Sequence, residues 1–159
     1  MQDAVLCIIT KGNKILLMEK LRGFGKGLIS APGGKIDKGE TPEQAAIREV
    51  KEEVNVKVSN LKYHGNIDFY SANSREWVVH IFSTKDVKGK IKDTEEGIPE
   101  WIEIDKIPYE KMWEDTKHWI PSVLQGKSFD AAFHFDKNWE KMSSFRINPI
   151  KNKGYDENK

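Results

Sequence analysis

Apolar and polar positions follow one another along this chain in short strand-like stretches, interrupted by two helical ones. Ala4-Val-Leu-Cys-Ile-Ile-Thr10 is β-branched and apolar and predicts a strand. Lys11-Gly-Asn13 is a turn signal, and Lys14-Ile-Leu-Leu-Met-Glu19 predicts a second strand, so the two form a hairpin. A glycine-rich loop follows from Gly23 to Gly39. Then the rhythm changes. Ala46, Val50 and Val54 recur at i, i+4 and i+8 and, with Ile47, make one buried stripe of a helix. Thr41 is its N-cap, Pro42 its first residue, and Gln44 completes a capping box. The helix runs to about Val54, where Asn55 supplies a left-handed stop.

Beyond it, strands are expected around Lys62–Tyr70, Glu76–Thr84, Glu100–Ile104, Phe129–Phe135 and Ser143–Ile147, with a second helix near Asp115–Leu124. Many strands with two interspersed helices indicate an α/β or α+β sandwich with a mixed sheet. Residues 1–150 are expected to form one domain, and 151–159 a polar C-terminal tail.

Composition narrows the classes. Twenty-six Lys and Arg against 25 Asp and Glu leave a formal charge of +1. That balance argues against a protein that coats nucleic acid or an anionic membrane. Cys7 is the one cysteine, which excludes an internal disulfide framework and fits a reducing, cytoplasmic setting. The longest apolar run, Ala4 to Ile9, falls far short of a membrane span. The four histidines lack zinc-ligand spacing.

The charges matter where they cluster. Glu49, Glu52 and Glu53 lie at i, i+3 and i+4 of the first helix, together on a face other than the apolar stripe. They repel one another and stand toward the negative end of the helix dipole. A hard divalent cation relieves that repulsion; a solvated acidic face, with Arg48 paired to Glu52, accounts for the same residues. Gly33-Gly34-Lys35 precedes the helix, and paired glycines suit either a close approach to phosphate or a plain turn.

The spacing resembles a known family signature. Gly34, five residues, Glu40, seven residues, Arg48-Glu49-Val50, one residue, Glu52-Glu53, one residue, then Asn55-Val56 resembles the Nudix box, G-x5-E-x7-R-E-U-x-E-E-x-G-U, with U aliphatic. Only the last glycine departs, and Asn55 is the next-best residue for a left-handed stop. The resemblance implies an α/β/α sandwich with a loop–helix–loop motif on a mixed sheet, and hydrolysis of a nucleoside diphosphate linked to another moiety. It implies Glu49, Glu52 and Glu53 as ligands of Mg²⁺, for which Mn²⁺ is a substitute, with the Gly34 carbonyl joining them. Arg48 would orient the cluster, and Glu53, with Glu52 close behind, is the residue on which activity would depend most.

The resemblance reaches beyond the box. Lys20-Leu-Arg-Gly-Phe-Gly25, Glu100-Trp-Ile-Glu-Ile-Asp-Lys-Ile-Pro108 and Met112-Trp-Glu-Asp-Thr-Lys-His-Trp-Ile-Pro121 resemble the eukaryotic type of MutT-like oxidised-purine nucleoside triphosphatase, which acts on 8-oxo-dGTP. It implies that Trp113 stacks on the purine, that Asp115 hydrogen-bonds its edge and that Trp119 adds to the pocket wall. Phe24, Phe69 and Trp77 match pocket-lining positions, Lys20, Gly33 and Lys35 lie where substrate would approach, and Glu96 matches an acid near the metal. Ordinary core packing explains the aromatics equally well, and an acidic loop explains Glu96. Two departures stand out: Thr116 replaces a second aspartate, and Ser30 replaces an asparagine of the pocket loop. The first removes an acceptor, the second a two-way amide.

The expected activity is cleavage of purine nucleoside triphosphates to monophosphate and diphosphate. ADP-ribose hydrolysis, or nucleotide binding without turnover, is the alternative. The expected partner is a small nucleotide, not a nucleic-acid polymer or a membrane, and the expected state is a monomer or homodimer.

Overall fold

The structure, a computed structural model, describes residues 1–151, so all but the first residue of the expected tail lies outside the described residues. In chain order the strands and helices are β1 (Gln2–Lys11), β2 (Lys14–Lys20), β3 (Ile29–Ser30), β4 (Gly33–Lys35), α1 (Pro42–Val54), β5 (Lys57–Ser59) and β6 (Lys62–Ser71). They continue as β7 (Ser74–Thr84), β8 (Asp86–Lys88), β9 (Gly97–Glu103), α2 (Thr116–Leu124), β10 (Ser128–Phe135) and β11 (Met142–Ile150). Two 3₁₀ turns, Ile104–Lys106 and Tyr109–Lys111, lead into α2.

The strands hydrogen-bond in the order β11-β10-β6-β7-β1-β2-β3, with β4 added to β1 and β9 to β2. β1 runs parallel to β7, and β10 parallel to β6, while the other pairs are antiparallel, so the sheet is mixed. β1 and β2 do form the expected hairpin, but they pair only at its mouth, Thr10 with Ile15 and Lys11 with Lys14. They then part: β1 spends its length on β7, and β2 spends its length on β9.

β1 is buried on both faces, which is why its sequence is apolar without alternation. Ala4 and Ile8 point into one core with Trp119, Ile120 and Val123 of α2. Val5, Cys7 and Ile9 point into the other with Ala45, Ala46, Val50 and Val54 of α1. One helix therefore covers each side. Cys7 is wholly enclosed, and burial pushes its thiol pKa up to about 12.

Sequence missed β3, β4, β5 and β8, all of two or three residues, too short for an alternation to register. β4 depends on Gly33: a Cβ there would strike the carbonyl of Val5, so only glycine lets this segment pair with β1.

α1 is punctuated as its sequence requires. The Thr41 hydroxyl accepts from the Gln44 backbone N–H at 3.1 Å, and the Gln44 side chain accepts from the Thr41 N–H at 3.0 Å. Asn55 closes the helix at φ 67°. Thr41→Ala strands those N-terminal donors and should cost about 1 kcal/mol, seen as a fall in Tm of roughly 2–4 °C. An unchanged Tm by calorimetry would show that the cap adds nothing once α1 is packed.

Candidate active site

The residues between β4 and α1 fold around one guanidinium. Arg48 Nε and Nη2 donate to the two oxygens of Glu40 at 2.6 and 2.9 Å. Its Nη1 donates to Glu49 at 2.7 Å and to Glu52 at 3.2 Å, and Nη2 also reaches the Lys35 carbonyl at 3.0 Å. Glu40 in turn accepts from the Asp37 backbone N–H at 2.9 Å, so the loop is stapled to the helix. Hydrogen bonding to Arg48 holds the Glu40 carboxyl down at about 2, and the same contacts keep Arg48 charged.

The three glutamates that the helical wheel groups together are divided by their surroundings. Glu53 is only 5% exposed and accepts from the Gly33 N–H at 2.8 Å. Desolvation lifts its pKa to about 7, against the pull of the Gly33 bond and the Lys20 charge. Glu49 is also lifted by desolvation, with Arg48 opposing. Its carboxylate lies directly on Gly34, in the space a Cβ would fill. Glu52 stands half-exposed on the outside of α1 beside Arg48.

Glu96 arrives from another element. The Thr94 hydroxyl donates to the Glu53 carbonyl at 2.9 Å and accepts from the Glu96 N–H at 3.1 Å, which sets Glu96 beneath the end of α1. Arg22 holds its carboxylate at 3.0 and 2.5 Å and lowers its pKa.

These acids open on a cleft of about 490 Å³. Its acidic end carries Gly33, Gly34, Glu49, Glu53 and Glu96, with Lys20 and Lys35 beside them. Its other end carries Phe24, Phe69, Trp77, Trp113, Asp115 and Trp119, with Ser30 and Thr116. Arg48 and Glu52, expected among the working residues, do not line it; they stand behind Glu49. A shallow groove of similar volume between Lys62, Lys127 and Lys151 has no carboxylate in its lining and offers a cation nothing.

At the aromatic end, Phe24 stacks on Trp113 with centroids 5.1 Å apart and planes 17° from parallel, and on Trp77 at 5.8 Å. The Lys35 ammonium sits 5.9 Å over the Trp77 ring. Trp119 is 2% exposed, and its indole N–H donates to Asp115 at 2.8 Å, so it braces the acid more than it walls the cleft. Asp115 is 4% exposed, and burial raises its pKa from 3.8 to about 6.

Sequence reasoning missed Trp139, which also lines the cleft, from the turn between β10 and β11. Its backbone is left-handed, at φ 61°, a conformation that costs a side-chain-bearing residue about 1–2 kcal/mol. The available signal was Asp136-Lys-Asn-Trp139, an aspartate-led turn carrying an aromatic where small polar residues are usual.

Among the described residues, no three His, Cys, Asp or Glu side chains already converge as a metal cluster. Arg48 and Gly33 occupy the carboxylates instead. The donor set is nevertheless all oxygen, and Gly34 leaves room for Glu49 beside the backbone, so the residues suit a hard divalent cation.

The sequence profile of the NUDIX domain matches residues 1–123. The chain belongs to the Nudix family. It is a Nudix hydrolase, an enzyme that cleaves pyrophosphate bonds of nucleotides, and enzymes of this family generally use divalent cations. It is 41% identical to the oxidized purine nucleoside triphosphate hydrolase of Danio rerio over 131 residues, 82% of this chain and 84% of that protein. The same-named protein of Mus musculus is 40% identical over the same shares. Among solved structures, a MutT protein from Bacillus halodurans superimposes with a TM-score of 0.82 at 26% identity, covering 92% of this chain and 97% of that one. No helix of the described residues is long and apolar enough to cross a membrane.

The buried Asp115 gives this Nudix hydrolase a pH signature. Its folded pKa is raised, so the native state holds more protons than the unfolded chain between about 4 and 6. Its contribution to stability is fully present below the unfolded value and is lost as pH rises through about 6. Asp115→Asn keeps an acceptor for Trp119 and should remove a pH-dependent loss on the order of 2–3 kcal/mol. Urea unfolding from pH 4 to 7 checks this: the difference between variant and parent should widen with pH, and parallel profiles would refute it.

Proposed function

We propose that the chain hydrolyses purine nucleoside triphosphates, oxidised purines such as 8-oxo-dGTP among them, to monophosphate and diphosphate with Mg²⁺. One observation carries the reading: a single cleft joins the largely buried carboxylates of Glu49 and Glu53 to an aromatic slot with an acid, Asp115, at its edge. The names of the relatives support the same substrate class.

In this reading Glu49 and Glu53 hold the cation with the Gly34 carbonyl, and Glu52, which stands outside the cleft, joins them only by turning away from Arg48. A bound divalent ion would neutralise the diphosphate oxygens and lower the pKa of an attacking water. The remaining work belongs to side chains. Glu53, with its pKa lifted to about 7 by burial, suits taking a proton from water, and it holds a cation only as the ionised carboxylate. Arg48 keeps Glu49 and Glu40 oriented without touching substrate. Lys20 and Lys35 offer positive charge to the phosphate chain. Glu96, like Glu49 and Glu53, has one carboxylate oxygen engaged, by Arg22, and offers the other to a cation.

Trp113 takes a base on its face, and Asp115 reads the edge with the oxygen that Trp119 does not use. With Thr116 in place of a second acid, Asp115 is the sole carboxylate reader, and with Ser30 in place of an amide the slot has lost a two-way partner. Purine stacking therefore survives better than selectivity for one oxidised base.

The test is a panel of 8-oxo-dGTP, 2-hydroxy-dATP, the canonical dNTPs and ADP-ribose, compared by kcat/KM with Mg²⁺, for the parent and Glu53→Gln. Purine triphosphates should lead, releasing diphosphate, and Glu53→Gln should lose about 10²–10⁴-fold in kcat, the usual range for an acid–base group, with Tm retained. A lead for ADP-ribose overturns the substrate reading, and undiminished diphosphate release by Glu53→Gln overturns the assignment of Glu53.

A further inference from the structure

The turn after β10 aims a strained tryptophan into the base end of the cleft. Asp136 ties that turn: its side chain accepts from the backbone N–H groups of Asn138 and Glu140 at 3.2 and 2.9 Å, and its carbonyl accepts from the Trp139 N–H at 3.1 Å. The Ser71 hydroxyl donates to the same carbonyl at 2.9 Å, anchoring the turn to the end of β6. On the other side, the Met142 N–H donates to Glu114 at 3.2 Å, next to Trp113 and Asp115. The turn is thus fixed to both sides of the slot, and at its tip Trp139 sits at φ 61°, where glycine or asparagine would be at ease. A bulky residue held there by its surroundings suggests that the ring is wanted in that place.

Phe24 shows what a flat ring meets in the slot. Stacked on Trp113, it runs against Trp139 almost at a right angle, with centroids 5.4 Å apart and planes at 82°. Trp139 stands at 76° to Trp113 itself, and it leans on Phe135 at 5.5 Å. Trp113 is therefore the floor of the slot and Trp139 its side wall. Phe24 is about half-exposed, on a loop with Gly23 and Gly25 at positive φ, so it is the ring an entering base would displace or cover.

We infer that Trp139 is a specificity-determining residue of this hydrolase, a perpendicular wall that sets the width of the base slot and turns away purines enlarged at the edge. The inference rests on the proposed placement of the base on Trp113. Phe135 also stands perpendicular to Trp113, at 85° and 6.0 Å, but it is 4% exposed and packed in the core, whereas Trp139 is only partly buried and can meet an entering base. Trp77 lies nearer to parallel, at 28° to Phe24.

The experiment compares dATP with dATP carrying a benzyl group on its exocyclic amine, by kcat and KM, in the parent, Trp139→Gly, Trp139→Phe and Trp113→Ala. The parent should prefer dATP by at least about tenfold in kcat/KM, the scale of a hydrophobic-pocket discrimination. Trp139→Gly, which accepts a left-handed backbone freely, should fold, and should erase most of that preference through KM with kcat nearly unchanged. Trp139→Phe should restore part of it. Trp113→Ala should raise KM for both substrates. If Trp113→Ala raises KM but the preference is untouched in both Trp139 variants, the wall is refuted while the slot stands. If Trp113→Ala leaves KM unchanged, the slot itself is refuted and the inference falls with it. Should Trp139→Gly lower Tm sharply and leave the preference intact, the ring serves packing alone.

Discussion

The whole site hangs on one guanidinium holding carboxylates that would otherwise repel. Glu40, Glu49 and Glu52 all contact Arg48, and the Lys35 carbonyl takes another of its donors. Lysine cannot make this pattern, because it lacks the planar fork and the five fixed N–H groups. The contact does two things at once. It offsets the repulsion of two of the three acids on the helix, Glu49 and Glu52, and it pins the loop from β4 to α1 so that Gly33 can donate to the third, Glu53. Glu53 is then free to be buried, and burial is what raises its pKa.

The sandwich supplies the other half. β1 is covered by α1 on one face and by α2 on the other, so the two ends of the cleft are built from opposite cores. The acids come from the α1 side and the base slot from the segment leading into α2. The cleft runs past β4, where glycine permits the close packing that joins them. Position along one strand thus sets the distance between phosphate chemistry and base recognition.

Much of this was legible in the sequence. The capping box at Thr41, the stripe Ala46-Val50-Val54 and the stop at Asn55 depend on local rules, and they stand where the spacing put them. The cleft residues named from resemblance, Phe24, Trp77, Trp113 and Asp115 among them, do meet in one place. Other features were not legible, for physical reasons. Helical spacing groups Glu49, Glu52 and Glu53 but carries no information on depth, so the exposure of Glu52 and the burial of Glu53 emerge only from packing. The Gly33-Gly34 pair reads as either a close approach to phosphate or a plain turn, and sequence does not show that the β1 backbone and the Glu49 carboxylate pack against the two glycines. Trp119 does line the cleft, but its near-complete burial and the use of its indole N–H on Asp115 emerge only from packing. Trp139 shows no periodicity at all, because a turn tip has none.

The central claim is that Arg48 organises the carboxylates for a cation that it does not itself contact. Mn²⁺ titration by calorimetry, for the parent and for Arg48→Lys at one pH, tests this most directly. The account predicts a folded variant with a lowered Tm and Mn²⁺ affinity weakened about 10–100-fold, the usual cost of losing a residue that orients metal ligands. Equal Mn²⁺ affinity in the two proteins would contradict it.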